Sequence, residues 1–150
     1  MTVTIVNRSS MRVTRVFLKK WVSEIVRLSR SNKDLKKYSN RLAKSELVIA
    51  FINADEMKKM NKQFRGKNYA TDVLSFESDE PGVLGELVIC PQVIVKQAAE
   101  HGLKNRHELG YMVLHGILHL LGFDHEQSKR EAERMFAIQD GLFAKLLEKN

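Results

Sequence analysis

Tyr111 to Leu121 is apolar on every side but for two histidines, and no other stretch constrains the fold as much. A helix that is apolar all round belongs inside the molecule. His115 and His119 stand four apart, so on that helix they share one face with Cβ atoms about 5–6 Å apart. Unpartnered imidazoles in such a place are costly. From there, both can reach a single ion with Zn–N bonds of about 2.0–2.1 Å. Gly122 offers a left-handed stop just past the helix, and the returning chain brings His125 to the same point. Three neutral nitrogens with a fourth position open make a catalytic rather than a structural site. The alternative is core histidines bonded to backbone or carboxylate. The H-x3-H-x5-H spacing, with Gly122 between, favours one zinc ion per chain held by His115, His119 and His125.

This is the spacing of the long metallopeptidase signature H-E-x-x-H-x-x-G-x-x-H, with one departure. The glutamate that serves a peptidase as base would stand at position 116, where this chain has Gly116. Glycine inside a helix costs about 1 kcal/mol relative to alanine. The missing side chain is therefore expected to make room, either for a substrate or for close approach of another backbone. A metallopeptidase or amidohydrolase would explain the cage of histidines but fails at Gly116.

The 150 residues make one domain of ordinary size, with a net charge of +7. That charge is unevenly spread. Residues 1–45 carry twelve Lys/Arg and two acids, net +10, and residues 46–150 carry thirteen and sixteen, net −3. A basic segment of this kind points to a polyanion, nucleic acid first; the alternative is a solvated, solubilising face. No apolar run approaches the length that spans a membrane, and the first residues lack a signal peptide's basic-then-apolar pattern. The single cysteine, Cys90, cannot form an internal disulfide, which suits a reducing cytoplasm. It lies in an apolar run and is expected to pack, with no catalytic part.

The remaining elements follow from periodicity and punctuation. Thr2 to Asn7 alternates as a strand, and apolar residues from Val13 to Val26 recur at helical spacing. Ser29 to Lys44 is a polar, basic loop with a short helix. Glu46 to Ile52 is a buried strand. Asn53 to Glu56 is a capping-box pattern opening a helix to about Phe64. Val73 to Glu77 and Leu84 to Cys90 form a hairpin through Asp79, Pro81 and Gly82. Pro91 starts a helix ending near Gly102. The histidine helix runs from about Lys104 to Leu121. Ser128 to Glu131 is a second capping box, opening a final helix with Ala132, Met135, Phe136, Leu142, Phe143 and Leu146 inward. The order implies a single α+β domain, with a small mixed sheet of about four strands packed with about five helices.

Three blocks carry a resemblance: NKQFRGK at Asn61 to Lys67, TDVLSF at Thr71 to Phe76, and HGILHLLGFDH at His115 to His125. Together with the strand Leu84 to Ile89 they resemble the YbeY family, bacterial zinc-dependent endoribonucleases specific for single-stranded RNA. The similarity covers about residues 45–147. The resemblance implies a zincin-like metal helix and zinc ligands at His115, His119 and His125. It also implies a catalytic arginine at Arg65. The function it implies is ribosomal RNA maturation in the cytoplasm, at the 3′ end of the small-subunit RNA, and ribosome quality control. Implied partners are single-stranded and ribosomal RNA, with small-subunit proteins or assembly factors, and no membrane. Ala70 stands where the family often has proline, and Phe123 where tyrosine is common.

The chemistry can be assembled from these parts. Zinc lowers the pKa of water to about 7 or polarises a phosphoryl oxygen, and a guanidinium fork suits the doubled charge of a phosphorane-like transition state. Asp72, Asp124 and Glu108 are candidates for the base, each with a rival role as cap, surface charge or support for a ligand. A non-catalytic RNA-binding ribosome assembly factor would explain the charge but not the open coordination position.

Overall fold

The computed structural model describes residues 1–149. Its elements run β1 (Thr2–Asn7), α1 (Arg15–Ser29), a 3-10 turn (Lys36–Tyr38), α2 (Ser39–Lys44), β2 (Glu46–Phe51), α3 (Ala54–Arg65), β3 (Val73–Glu77), β4 (Val83–Ile89), α4 (Pro91–His101), α5 (Asn105–Leu120) and α6 (Lys129–Glu148). One mixed sheet has the order β1-β2-β4-β3, with β2 parallel to both neighbours and β3 antiparallel to β4. The architecture is α+β, as expected. The five longer helices are joined by the short α2, inside the stretch anticipated as loop with a short helix.

Each face of the sheet has its own core. The larger core packs α1, α5 and α6 on Leu47, Ile49, Leu87 and Ile89. The smaller one seats Met57 of α3 on Ala50, Val88 and Cys90. Cys90 is fully buried, packed as expected, and burial raises its thiol pKa.

Beyond its first turn helix α5 is buried except along the cleft face of Tyr111, His115 and His119, and two glycines let its neighbours approach. The indole N–H of Trp21 donates to the Gly110 carbonyl at 2.8 Å, and a Cβ at Gly110 would lie 2.5 Å from Trp21 Cε2. A Cβ at Gly116 would lie 2.5 Å from Leu87 Cδ2 of β4. Gly116 therefore faces the sheet, and the expected room for a substrate is overturned. One residue along an α-helix is a turn of about 100°, so position 116 points away from the face that His115 and His119 share. What approaches is a leucine side chain rather than a backbone.

The two anticipated capping boxes differ. Ser128 Oγ accepts from Glu131 N at 3.1 Å, as its pattern predicts. Asn53 makes no side-chain cap. Its Oδ1 accepts instead from Ser10 N at 3.0 Å and Gln92 Nε2 at 2.8 Å, tying α3 to the segment after β1 and to α4. Tertiary donors have taken the oxygen that a local pattern assigned to its own helix.

Candidate metal centre

The last two turns of α5 carry His115 and His119, and the chain that follows returns His125 to them. Gly122 makes the reversal with φ +100, a region that favours glycine. Its N–H donates to His119 O at 2.9 Å and that of Phe123 to Leu118 O at 3.1 Å, closing the helix end. Phe123 is clamped between the Tyr38 ring, 6.1 Å away, and the Arg134 guanidinium, 5.4 Å from its centroid. This anchors the His125 loop without the hydroxyl of a tyrosine.

One ligand-capable nitrogen from each histidine lies within 4.8 Å of the others. His119 Nε2 and His125 Nδ1 are 3.0 Å apart. Two nitrogens bound to one tetrahedral zinc would stand about 3.4 Å apart, so the trio is already near ligand spacing. His115 Nδ1 meets Gln139 Oε1 at 2.9 Å, and Gln139 is 1% exposed. With the amide oxygen facing the ring, Nδ1 carries the proton and Nε2 keeps its lone pair. Burial pushes the pKa of His115 down, and that of His119 down to about 4 with the neighbouring imidazoles adding to the shift. Both rings are thus held neutral, the form that binds metal.

Arg65 ends α3, far away in sequence, yet it lines the same cleft of about 800 Å³ as the three histidines. Its Nη2 is 2.8 Å from Glu126 Oε1, on the loop beside His125. The three candidate bases separate. Asp72 and Asp124 line the cleft. Asp72 accepts from Val73 N at 2.7 Å and Gln97 Nε2 at 3.2 Å, and Asp124 accepts from Glu126 N at 2.8 Å. Glu108 is 1% exposed and 3.0 Å from His101 Nδ1 on α4, so it supports the α4–α5 joint instead.

Gln139, Glu126 and Phe136 were not anticipated at the site. Gln139 had a legible signal, a polar residue in the inward stripe of α6 between Met135 and Leu142. Phe136, expected inward, is 39% exposed and lies nearly parallel to the His115 ring at 6.3 Å and 22°. The helical stripe placed it one position too far round.

Residues 4–147 match the family described as Endoribonuclease YbeY. The chain belongs to the YbeY family. A Bdellovibrio bacteriovorus protein named Endoribonuclease YbeY is 51% identical over 149 residues, covering 99% of this chain and 97% of that one. One of the same name from Staphylococcus saprophyticus is 36% identical, covering 86% and 88%. The solution structure of a Thermotoga maritima protein superposes with a TM-score of 0.66 at 26% identity, over 99% of this chain and 91% of that one. YbeY membership extends over the basic amino-terminal third, beyond the motif blocks that first carried the resemblance.

Proposed function

We propose that this YbeY-family chain is a zinc-dependent endoribonuclease acting on single-stranded RNA, in maturation of ribosomal RNA at the 3′ end of the small-subunit molecule. The observation that carries it is the convergence of three imidazoles and a guanidinium in one cleft. The relatives named Endoribonuclease YbeY support the reaction class. A metallopeptidase has no support at position 116, where Leu87 occupies the space a glutamate would need.

His115, His119 and His125 would hold the metal, and the donor set suits zinc. Zinc would supply Lewis-acid charge and lower the pKa of water to about 7. The chain's own residues do the rest. Gln139 fixes the His115 tautomer. Arg65, paired with exposed Glu126 in the free protein, presents its fork to an incoming phosphodiester, which competes with the Glu126 carboxylate. The net +10 of residues 1–45 gathers RNA, and the 3-10 turn bearing Lys36 and Lys37 reaches the His125 loop through Tyr38 and Phe123. Among the described residues no helix is long and apolar enough to cross a membrane. A cytoplasmic setting accords with the lone buried thiol, and small-subunit proteins or assembly factors are the partners this role in ribosomal RNA maturation would require.

The test is cleavage of one RNA sequence presented single-stranded and as a duplex. Internal cuts in the single strand, with the duplex spared, are expected. No cleavage of either, or equal cleavage of both, would overturn the proposal.

A further inference from the structure

Three of the chain's aromatic side chains are exposed among the described residues, and all three line the metal cleft: Phe64 (58%), Tyr69 (52%) and Phe136 (39%). The other aromatics are buried or half-buried. Scattered exposed aromatics need no explanation, but three gathered at one cleft do. Two of the rings are braced by other rings, and the third has its backbone pinned. Phe64 packs edge-on against Phe76 of β3 at 5.1 Å and 75°. The Tyr69 carbonyl accepts from Asn61 Nδ2 at 2.9 Å, and Asn61 is fully buried. Phe136 rests on the His115 ring. The braced rings of Phe64 and Phe136 lose little freedom when a ligand covers them.

Cations share this rim. Lys67 lies between Phe64 and Tyr69 in sequence, and Arg65 follows Phe64 directly; all four line the cleft. Flat apolar faces beside positive charges, at a site for phosphodiester chemistry, match a nucleotide whose base is free to stack while its phosphate meets the cations. A paired base keeps both faces within its own duplex and has none to offer. A protein partner would be expected to cover at least about 1,000 Å² of complementary surface, and the rim offers a concave, cationic cleft instead.

We propose that Phe64 and Tyr69 form a base-stacking platform that seats unpaired nucleobases beside the scissile phosphate, and that this seating makes the enzyme require unpaired RNA. Phe136 forms the inner wall, against the histidines. The inference rests on the endoribonuclease function proposed above and assigns its strand selectivity to named residues.

The experiment uses zinc-loaded protein and a single-stranded RNA carrying 2-aminopurine at successive positions, mixed in a stopped-flow instrument so that fluorescence on binding is read before cleavage. Parent protein is expected to quench the probe at one or two positions next to the cut. Phe64→Leu and Tyr69→Leu, which keep apolar bulk and lose the ring, should each lose quenching and bind about 5- to 100-fold more weakly. Phe64→Tyr, which keeps a ring, should behave as the parent does, and zinc content should be unchanged throughout. An abasic nucleotide at the quenched position should weaken the parent to a similar extent and leave Phe64→Leu little affected. Duplex binding should not distinguish parent from variants. If parent cuts RNA but both leucine variants keep parental quenching and affinity, the platform is wrong while the nuclease function stands, and the rim serves another partner. A parent that neither binds nor cuts single-stranded RNA overturns both.

Discussion

Gln139 and Glu126 do at this site what the three histidines cannot do for themselves. Gln139 orients His115, so Gln139→Leu should weaken zinc binding about 10- to 100-fold in a chelator competition while the fold persists. Glu126 holds Arg65, which forms an exposed pair of small energetic value, and the guanidinium is therefore available to substrate. Arg65→Ala should lower single-turnover cleavage about 10²-fold or more with zinc content unchanged, and Arg65→Lys should recover only part of that. Parental cleavage by Arg65→Ala at saturating enzyme would remove its catalytic role. The depressed pKa values have a definite sign. Below about pH 6.5 the unfolded chain protonates imidazoles that the folded protein keeps neutral, so the metal-free protein should lose stability as pH falls from there toward about 4, where His119 titrates. Replacing His119 by Gln should flatten that part of a stability–pH curve; an unchanged slope would show that its burial is not the cause. Histidine spacing on its own makes the trio legible, and the family blocks mark Arg65. The inward place of Gln139 is legible in the α6 stripe, but its partner and that of Glu126 are not, because they lie 24 and 61 residues away and only the fold joins them.

Helix α5 shows how one element serves core and chemistry together. His115 and His119 face the cleft, while Gly110 and Gly116 admit Trp21 and Leu87 on other faces. Trp21 offers a rigid ring and Leu87 the mobile ends of a side chain. Gly110→Ala should therefore cost about 1–3 kcal/mol by overpacking, and Gly116→Ala less, as read from denaturant midpoints. The reverse order would mean that β4 rather than α1 sets the position of the helix. Element types are legible where periodicity is strong, as in β1 and α1, and where punctuation is clear, as at the Pro91 start of α4. Local patterns mislead where tertiary contacts compete for the same atoms or space. Asn53 has the pattern of a cap and instead bonds Ser10 and Gln92, and Gly116 has the look of an opening and is a packing contact.

Across the whole molecule, the basic amino-terminal segment lines no part of the cleft; β1 lies at the sheet edge opposite β3, and among the described residues only Tyr38 against Phe123 links the segment to the His125 loop. RNA affinity should fall steeply with salt as counterions are released. Charge reversal at Lys36 and Lys37, whose turn touches the His125 loop, should weaken binding more than reversal at Lys19 and Lys20 on α1. Equal effects, or affinity indifferent to salt, would separate the basic segment from the RNA path. The central claim is that three histidines hold one metal and that RNA cleavage depends on it. Stripped protein should therefore be titrated with zinc while the rate of single-stranded RNA cleavage is followed in parent and in His119→Ala. Activity in the parent should rise from background and break at about one equivalent, the stoichiometry of a single three-histidine site, while His119→Ala should stay at background. Full-rate cleavage by metal-free parent, or restoration of His119→Ala at one equivalent, would contradict the account.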